Sequence, residues 1–405
     1  MLVFILNAGS SSLKYQLMNP IIKKVFASGI CERIGIDGIL THEYGDGKEL
    51  KLEIAMPTHK EAIEAVLSTL TSGEGKVIDS INDIEAIGHR AVHGGEEFSA
   101  SILVNERVIE TMKKLIPLAP LHNPANILGM EICQELMPGK PNVAVFDTAF
   151  HQTMPDYAYM YALPYDQYTK HGIRKYGFHG TSHFFVSNEA RQMLDRKHNT
   201  RIIVCHLGNG SSVSAVHDGK CIDTSMGLTP VQGLMMGTRS GDVGAGALQY
   251  MMHQENMTIE EALDIMNKKS GILGISGKSS DLREVLDGMQ NGDERCRLAV
   301  DMVAYNIKKY VGSYVAALDG VDALCFTGGI GENAALIREK VCAGLDAMGL
   351  VLDPVKNNKR SKTARDIATN GSASRIFVIP TNEEYVIAND TFKVCLLYTS
   401  PSPRD

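Results

Sequence analysis

The chain has 405 residues, more than one core usually spans, so two domains are expected. It is 44% hydrophobic and carries 40 basic against 47 acidic residues, a net charge of −7 with no long run of either sign, which argues against nucleic acid or an anionic membrane as partner. Its eight cysteines are scattered without CxxC spacing and read as buried thiols of a reducing compartment. The apolar start lacks a charged leader, and no run reaches the ~18 residues needed to span a bilayer, so a cytoplasmic location is expected.

Residues 2–6 form an apolar run, 7–12 a turn of small residues (NAGSSS), and 13–18 a second run that carries Lys14. Residues 41–54 read as a hairpin with Gly45-Asp46-Gly47 at its tip. An amphipathic helix is predicted over 61–70, with Ala62, Ala65, Val66 and Leu70 on one stripe. A short strand over 85–92 leads into GHRAVHGG. The stretch 108–137 reads as helical, interrupted at Pro117, Pro120 and Pro124. Residues 142–146 are a buried-type strand with Asp147 at its end. The stretch 148–180 is irregular, and 183–198 is helical.

The run IIVCHLGNGSSVSAVHDGKCID, residues 202–223, predicts three antiparallel strands. Gly208-Asn209-Gly210 makes the first turn and Asp218-Gly219 the second. Strand, Asn/Gly/Ser turn and strand therefore occur twice, about two hundred residues apart. Such a repeat predicts two similar half-molecules whose turns offer backbone N–H groups to one phosphate chain. A Gly-rich loop follows over 227–246. Thr258 and Glu261 form a capping box that opens a helix to 267. Helices are predicted at 295–318, 334–348 and 385–393, and strands at 323–326 and 376–379. Strands alternating with helices after each meander make this an α/β chain. The tail 395–405 (CLLYTSPSPRD) has no periodicity and reads as disordered or non-native.

Some motifs are misleading. GILGISGKS at 271–279 has five residues where a P-loop needs four between its first Gly and Gly-Lys, and it follows a helix. The pairs His89/His93 and His179/His183 have zinc spacing but no intervening Glu and no clear third ligand. Thr327–Asn333 joins a strand to a helix and reads equally as an anion-binding turn or as plain structure. Asn7, Asp147 and Glu383 each follow an apolar strand, and oxygen ligands of that kind suit magnesium. Arg90 and Arg239 stand in Gly-bounded segments, where a guanidinium can grip carboxylate or phosphate.

In order, NAGSSSLKY, GHRAVHGG, LAPLHNP, VFDTAFH, YGFHGTSH, HLGNGSS, MGTRSGD, SSDLR, GGIGEN and PTNEE closely resemble the acetokinase family, part of the acetate and sugar kinase, Hsp70 and actin superfamily. The resemblance runs from residue 2 to about 391. It implies two RNase H-like domains around a nucleotide cleft: 1–150 plus 384–394, and 151–383. It also implies a homodimer, ATP or ADP with acetate or acetyl phosphate as substrates, and Mg²⁺, with Mn²⁺ as a substitute. By position, Asn7 and Glu383 match the metal residues and Lys14 a nucleotide-phosphate contact. Arg90, Asp147, His179 and Arg239 match the catalytic set. Arg90 with Val92, Leu121, Phe178 and Pro230 matches the acyl site. The nucleotide segments match His206, Leu207, Gly208, Asn209 and Gly210, then Asp281, Leu282 and Arg283, then Gly329, Ile330, Gly331, Glu332 and Asn333. The expected activity is direct in-line phosphorylation of acetate. A carboxylate is already ionised at pH 7 and needs no general base, so Asp147 is expected to organise rather than to accept a proton. Propionate or butyrate kinase is the alternative, since one methylene supplies only ~1–3 kcal/mol of discrimination. A non-catalytic nucleotide sensor is disfavoured by the intact Arg90, Asp147, His179 and Arg239.

Overall fold

The N-terminal small-residue turn reverses the chain tightly. Val3–Ala8 (β1) and Leu13–Asn19 (β2) pair antiparallel on either side of it, with Asn7 opposite Lys14. Lys24–Glu32 (β3), Ile39–Tyr44 (β4) and Lys48–Glu53 (β5) extend the meander. Ala86–Ala91 (β6) and Asn142–Phe146 (β8) then add in parallel on the other side of β1, and Ile102–Leu103 (β7) closes the edge. The sheet order is β5-β4-β3-β2-β1-β6-β8-β7. β3 lay hidden in the sequence because its exposed positions break the apolar alternation.

The second sheet repeats this plan. Arg201–Leu207 (β9), Ser211–His217 (β10) and Lys220–Thr224 (β11) form the meander. Asp218 and Gly219 turn it with φ of +49° and +78°, the pair of left-handed residues a two-residue hairpin needs. Ala323–Thr327 (β12) and Arg375–Val378 (β14) join in parallel beyond β9, and Arg365–Asp366 (β13) flanks β14. The order is β11-β10-β9-β12-β14-β13. Each sheet is thus an antiparallel meander of three or more strands followed by two parallel strands, the RNase H-like plan.

This is a computed structural model that describes residues 1–399. It divides into two units: Met1–Phe150 with the stretch from Asn382, and His151–Thr381. In the first unit, His59–Thr71 and Asn123–Leu136 pack Ile63, Val66, Leu70 and Cys133 against one sheet face. Thr58 and Glu61 start the former helix with a reciprocal capping box, a contribution of about 1 kcal/mol. The other face is covered by the helix Glu383–Thr399, through Ile387, Ala388, Val394 and Cys395. In the second unit the helix Glu294–Ala317 crosses the sheet, burying Ala299, Val300, Val303, Ile307 and Val311.

Several expectations change. Pro124 lies in the first helical turn of Asn123–Leu136, where its missing N–H costs nothing, so it begins a helix rather than interrupting one. The helix expected at 183 starts at Gly180, and Ala245–Glu255 is helical where a loop was read through 246. Glu383 falls in the first unit, not the second, because it opens the helix that packs on that unit's sheet. That helix runs past 394 to Thr399, with Cys395 in its apolar interface, so 395–399 are ordered helix. The rest of the expected tail, 400–405, lies outside the described residues.

Candidate active site

In the first unit, three strand ends converge. Asn7 and Arg90 stand one residue before the ends of β1 and β6, and Asp147 follows β8 directly. Parallel pairing of β1, β6 and β8 sets these ends side by side. Arg90 grips Asp147 with both forks, Nε to Oδ1 at 3.0 Å and Nη2 to Oδ2 at 2.7 Å. Asp147 is almost fully buried, so the paired geometry is held firmly. Glu383 Oε2 lies 3.9 Å from Arg90 Nε. Burial raises the Glu383 carboxyl to about 7, against the opposing pull of Arg90; the Asp147 charge adds to the rise. The Arg90 guanidinium is held still more firmly protonated by Asp147.

Asn7, Lys14, Arg90, Glu383 and Glu384 line a cavity of about 540 Å³ in this unit. Its donors are carboxylate and amide oxygens, hard ligands that suit magnesium. Among the described residues no group of three or more His, Cys, Asp or Glu is gathered as a metal cage. A cation that keeps waters and shares phosphate oxygens asks for no such cage. Glu383 also gains from a cation that favours its charged form. The residues present therefore fit a divalent ion, and the zinc reading of the histidine pairs falls away. His89 is committed to Asn142 at 2.7 Å, and His183 to two serines.

In the second unit, His179 precedes the helix Gly180–Met193 with a left-handed backbone, φ +59°. Such a conformation in a non-glycine residue is strained and concentrates at functional sites. Its Nδ1 lies 2.8 Å from Ser212 Oγ, and its ring stands 4.3 Å from that of His206. A Cβ added at Gly210 would lie 3.4 Å from His179 Nε2 and 3.6 Å from Arg239 Nη1. Two donors thus border one small volume beside the Gly210 backbone. Arg239 has no carboxylate partner among the described residues; its Nη1 donates to Met236 Sδ at 3.9 Å, and burial lowers its proton affinity.

The loop carrying Arg239 is held from outside. Ser270, Ile272 and Leu273 donate backbone N–H bonds of 2.8–2.9 Å to the carbonyls of Thr238, Met236 and Gly237. Gly271 has φ +60°, and a Cβ there would stand 2.1 Å from the Met236 carbonyl. The false P-loop at 271–279 thus serves as the clamp for this loop.

A cavity of about 790 Å³ opens in the same unit. Of the sequence-assigned residues, Gly208, Asn209, Asp281, Leu282, Arg283, Gly329, Ile330 and Asn333 line it. His206, Leu207, Gly210, Gly331 and Glu332 do not. Leu207 is core, His206 bonds Ser182 Oγ at 2.8 Å, and Glu332 accepts from Gly328 N–H at 3.1 Å, bracing the turn. Lys14 lines the first unit's cavity instead. Ser280, Leu286, Asp287, Gln290, Ala334 and Arg360 line the nucleotide-type cavity and were missed. Leu286 and Asp287 stand at i+3 and i+4 from assigned residues on the Leu282–Gln290 helix, and Gln290 one further turn along, so extending that motif along its helix finds them. Arg360 left no such signal.

Among the acyl-site residues, Val92 is buried in the first unit. Its N–H donates to Asn126 Oδ1 at 3.0 Å, and Asn126 Nδ2 donates to Ala8 O at 3.0 Å. One amide thus ties together the chain segments just beyond Asn7 and Arg90. Leu121, also in the first unit, is 63% exposed. In the second unit Phe178 is buried, with its carbonyl accepting from the His151 ring at 2.8 Å, and Pro230 is half-buried.

The family described as the Acetokinase family matches residues 2–389. The chain is 53% identical to an acetate kinase from Fusobacterium nucleatum, covering 97% of this chain and 100% of that one. The crystal structure of Porphyromonas gingivalis acetate kinase superposes with a TM-score of 0.94 at 48% identity, over 97% of this chain and 99% of that chain. A propionate kinase from Francisella tularensis gives 0.91 at 42% identity, with the same shares of each chain covered.

Proposed function

The chain belongs to the acetokinase family, and from that premise we propose that it transfers the γ-phosphoryl group of ATP to acetate, giving acetyl phosphate and ADP, and catalyses the reverse transfer. The observation that carries the reading is the convergence of His179 and Arg239 beside Gly210, in the turn whose Gly208 and Asn209 line the large cavity.

Phosphoryl transfer needs positioning and charge neutralisation more than covalent help. The nucleotide is assigned to the 790 Å³ cavity, with Gly208 and Asn209 at its phosphate end. Arg239 and His179 donate to the equatorial oxygens of the transferring group. Arg90, locked by Asp147, presents a fixed charge to the carboxylate of acetate. Asn7 and Glu383 would hold a divalent cation, Mg²⁺ or in substitution Mn²⁺. When bound, that ion would neutralise phosphate charge. Asp147 has both oxygens engaged by Arg90, which supports an organising role over proton abstraction.

Trapping acyl phosphate with hydroxylamine, with ATP and acetate, propionate or butyrate, tests the reading. Hydroxamate formation is expected with acetate first; none with any acid would sink it. The propionate kinase likeness keeps the longer acid as a second reading. Val92→Ala removes two methyl groups where the alkyl tail is assigned. It is expected to raise kcat/KM for propionate relative to acetate by up to ~10–100-fold. An unchanged preference would remove Val92 from the site. At Gly329 an added Cβ meets no protein atom within 4 Å, so Gly329→Ala should fold normally and protrude into the cavity. A several-fold rise in KM for ATP, with KM for acetate unchanged, is the expected result; an unaltered KM for ATP would place the nucleotide elsewhere.

A second copy of the chain is proposed as partner. The helix Ala245–Glu255 buries none of its residues, and Tyr250 on it is 68% exposed. Sedimentation should return a dimer. No helix among the described residues is long and apolar enough to cross a membrane. With the cysteines free and buried, we place the protein in the cytoplasm.

A further inference from the structure

His183 lies one helical turn beyond His179 and is fully buried. Its two ring nitrogens each meet a serine hydroxyl on β10: Nε2 lies 2.7 Å from Ser212 Oγ, and Nδ1 lies 2.7 Å from Ser214 Oγ. Ser212 Oγ is at the same time 2.8 Å from Nδ1 of His179. β10 sets this spacing, since residues two apart on a strand share a face. His179, which precedes the helix with a left-handed backbone, and His183 in the first turn both bring their rings to these serines. The sequence offered this pair only as a rejected zinc site.

The proton count limits what the chain can do. Burial, with the His151 and His206 rings nearby, keeps His183 neutral. A neutral imidazole has one N–H and one acceptor nitrogen. One of its serines therefore receives a proton from it, and the other gives one to it. Two orders satisfy this count, and one of them would make His179 Nδ1 a donor to Ser212. In the order that leaves a His179 Nε2–H for an incoming anion, Ser212 receives from His183 Nε2 and its hydroxyl proton points at His179 Nδ1. His179 Nδ1 is then an acceptor, and the proton of a neutral His179 sits on Nε2, the nitrogen beside Gly210 and Arg239.

We propose that His183 is a positioning residue for phosphoryl transfer, acting through Ser212 to hold His179 in the tautomer that points Nε2–H at the transferring group. The inference rests on the phosphoryl-transfer reading above and adds two residues to it, His183 and Ser212. Holding a catalytic imidazole in the right tautomer is a recognised use of a buried partner, and its loss costs orders of magnitude in rate.

The test combines kinetics with nitrogen NMR on ¹⁵N-histidine-labelled protein. The wild type is expected to show His179 with its proton on Nε2. Ser212→Ala, a small deletion, should lower kcat by ~10–100-fold and leave both KM values within about twofold, the pattern of an interaction used in the transition state. His179 should then populate both tautomers. Ser212→Thr, which keeps the hydroxyl, should recover most of kcat. Wild-type His179 protonated on Nδ1 would overturn the proposal without any variant, and so would an unchanged kcat in Ser212→Ala. A wild type that makes no acyl phosphate yet shows the Nε2–H tautomer would instead count against the phosphoryl-transfer reading and leave the hydrogen-bond chain standing.

Discussion

Arg239→Ala is expected to lower kcat by ~10²-fold or more while leaving the ligand-free fold as stable as the wild type or more so. The reason lies in an imbalance. Arg239 is desolvated, which opposes its charge, and no carboxylate among the described residues offsets that cost. A cation kept this way gains its partner when an anion arrives, and a developing phosphoryl charge is such an anion. Removing it should therefore hurt the transition state and spare the folded chain, a trade common at sites that sacrifice stability for activity. Arg239→Lys should rescue poorly, because a compact ammonium lacks the planar fork. Measuring kcat and the thermal midpoint of all three proteins checks this. A lysine variant with near-native kcat, or an alanine variant that melts well below the wild type, would return Arg239 to a structural role.

Asp147→Asn carries the second large effect and separates two roles. The substitution keeps one acceptor for Arg90 Nε but sets an amide N–H₂ against the Nη2 donor, where a 2.7 Å charge-assisted bond now stands. Breaking a buried pair is costly, and with Arg90 partly solvent-exposed the loss is about 3 kcal/mol or less. Glu383, 3.9 Å from Arg90, is left as its nearest acid, so Arg90 is expected to swing toward it. The carboxylate of acetate then loses a fixed partner, and kcat should fall by ~10²–10³-fold. As an organiser, Asp147 also adds negative charge around the proposed cation position, so higher Mg²⁺, or Mn²⁺, should recover part of the rate. A defect equal at every metal concentration, together with an acid limb of the kcat–pH profile that vanishes in the variant, would assign Asp147 to general base catalysis.

The elements most legible in the sequence were those whose local chemistry and tertiary role agree. β8 was read to the residue, because a parallel strand buried on both faces is a continuous apolar run. The Asp218-Gly219 hairpin and the Thr258 capping box were equally plain, since turn and cap residues act on backbone next to them. Ala245–Glu255 was missed because none of its residues is buried and no apolar stripe marks it. The helix after Asn382 was cut short for the opposite reason. Its pattern past 394 is weak, and packing against the sheet decides that it continues.

The same division runs through the site. By itself the sequence determined the two meanders, the small-residue turns, and which strand ends bear Asn7, Arg90 and Asp147, because each depends on residues within a few positions of one another. Only the tertiary structure decided that Asp147 is locked to Arg90 and that Glu383 belongs with them, contacts that span from tens to hundreds of residues. It alone set Gly331 and Glu332 behind their turn rather than in the cavity, and it linked His183 to His179 through a serine on another element. The physical reason is that propensity, caps and turns are short-range interactions written along the chain, whereas hydrogen-bond partners and burial are settled only when distant strands pair and their side chains compete for the same space.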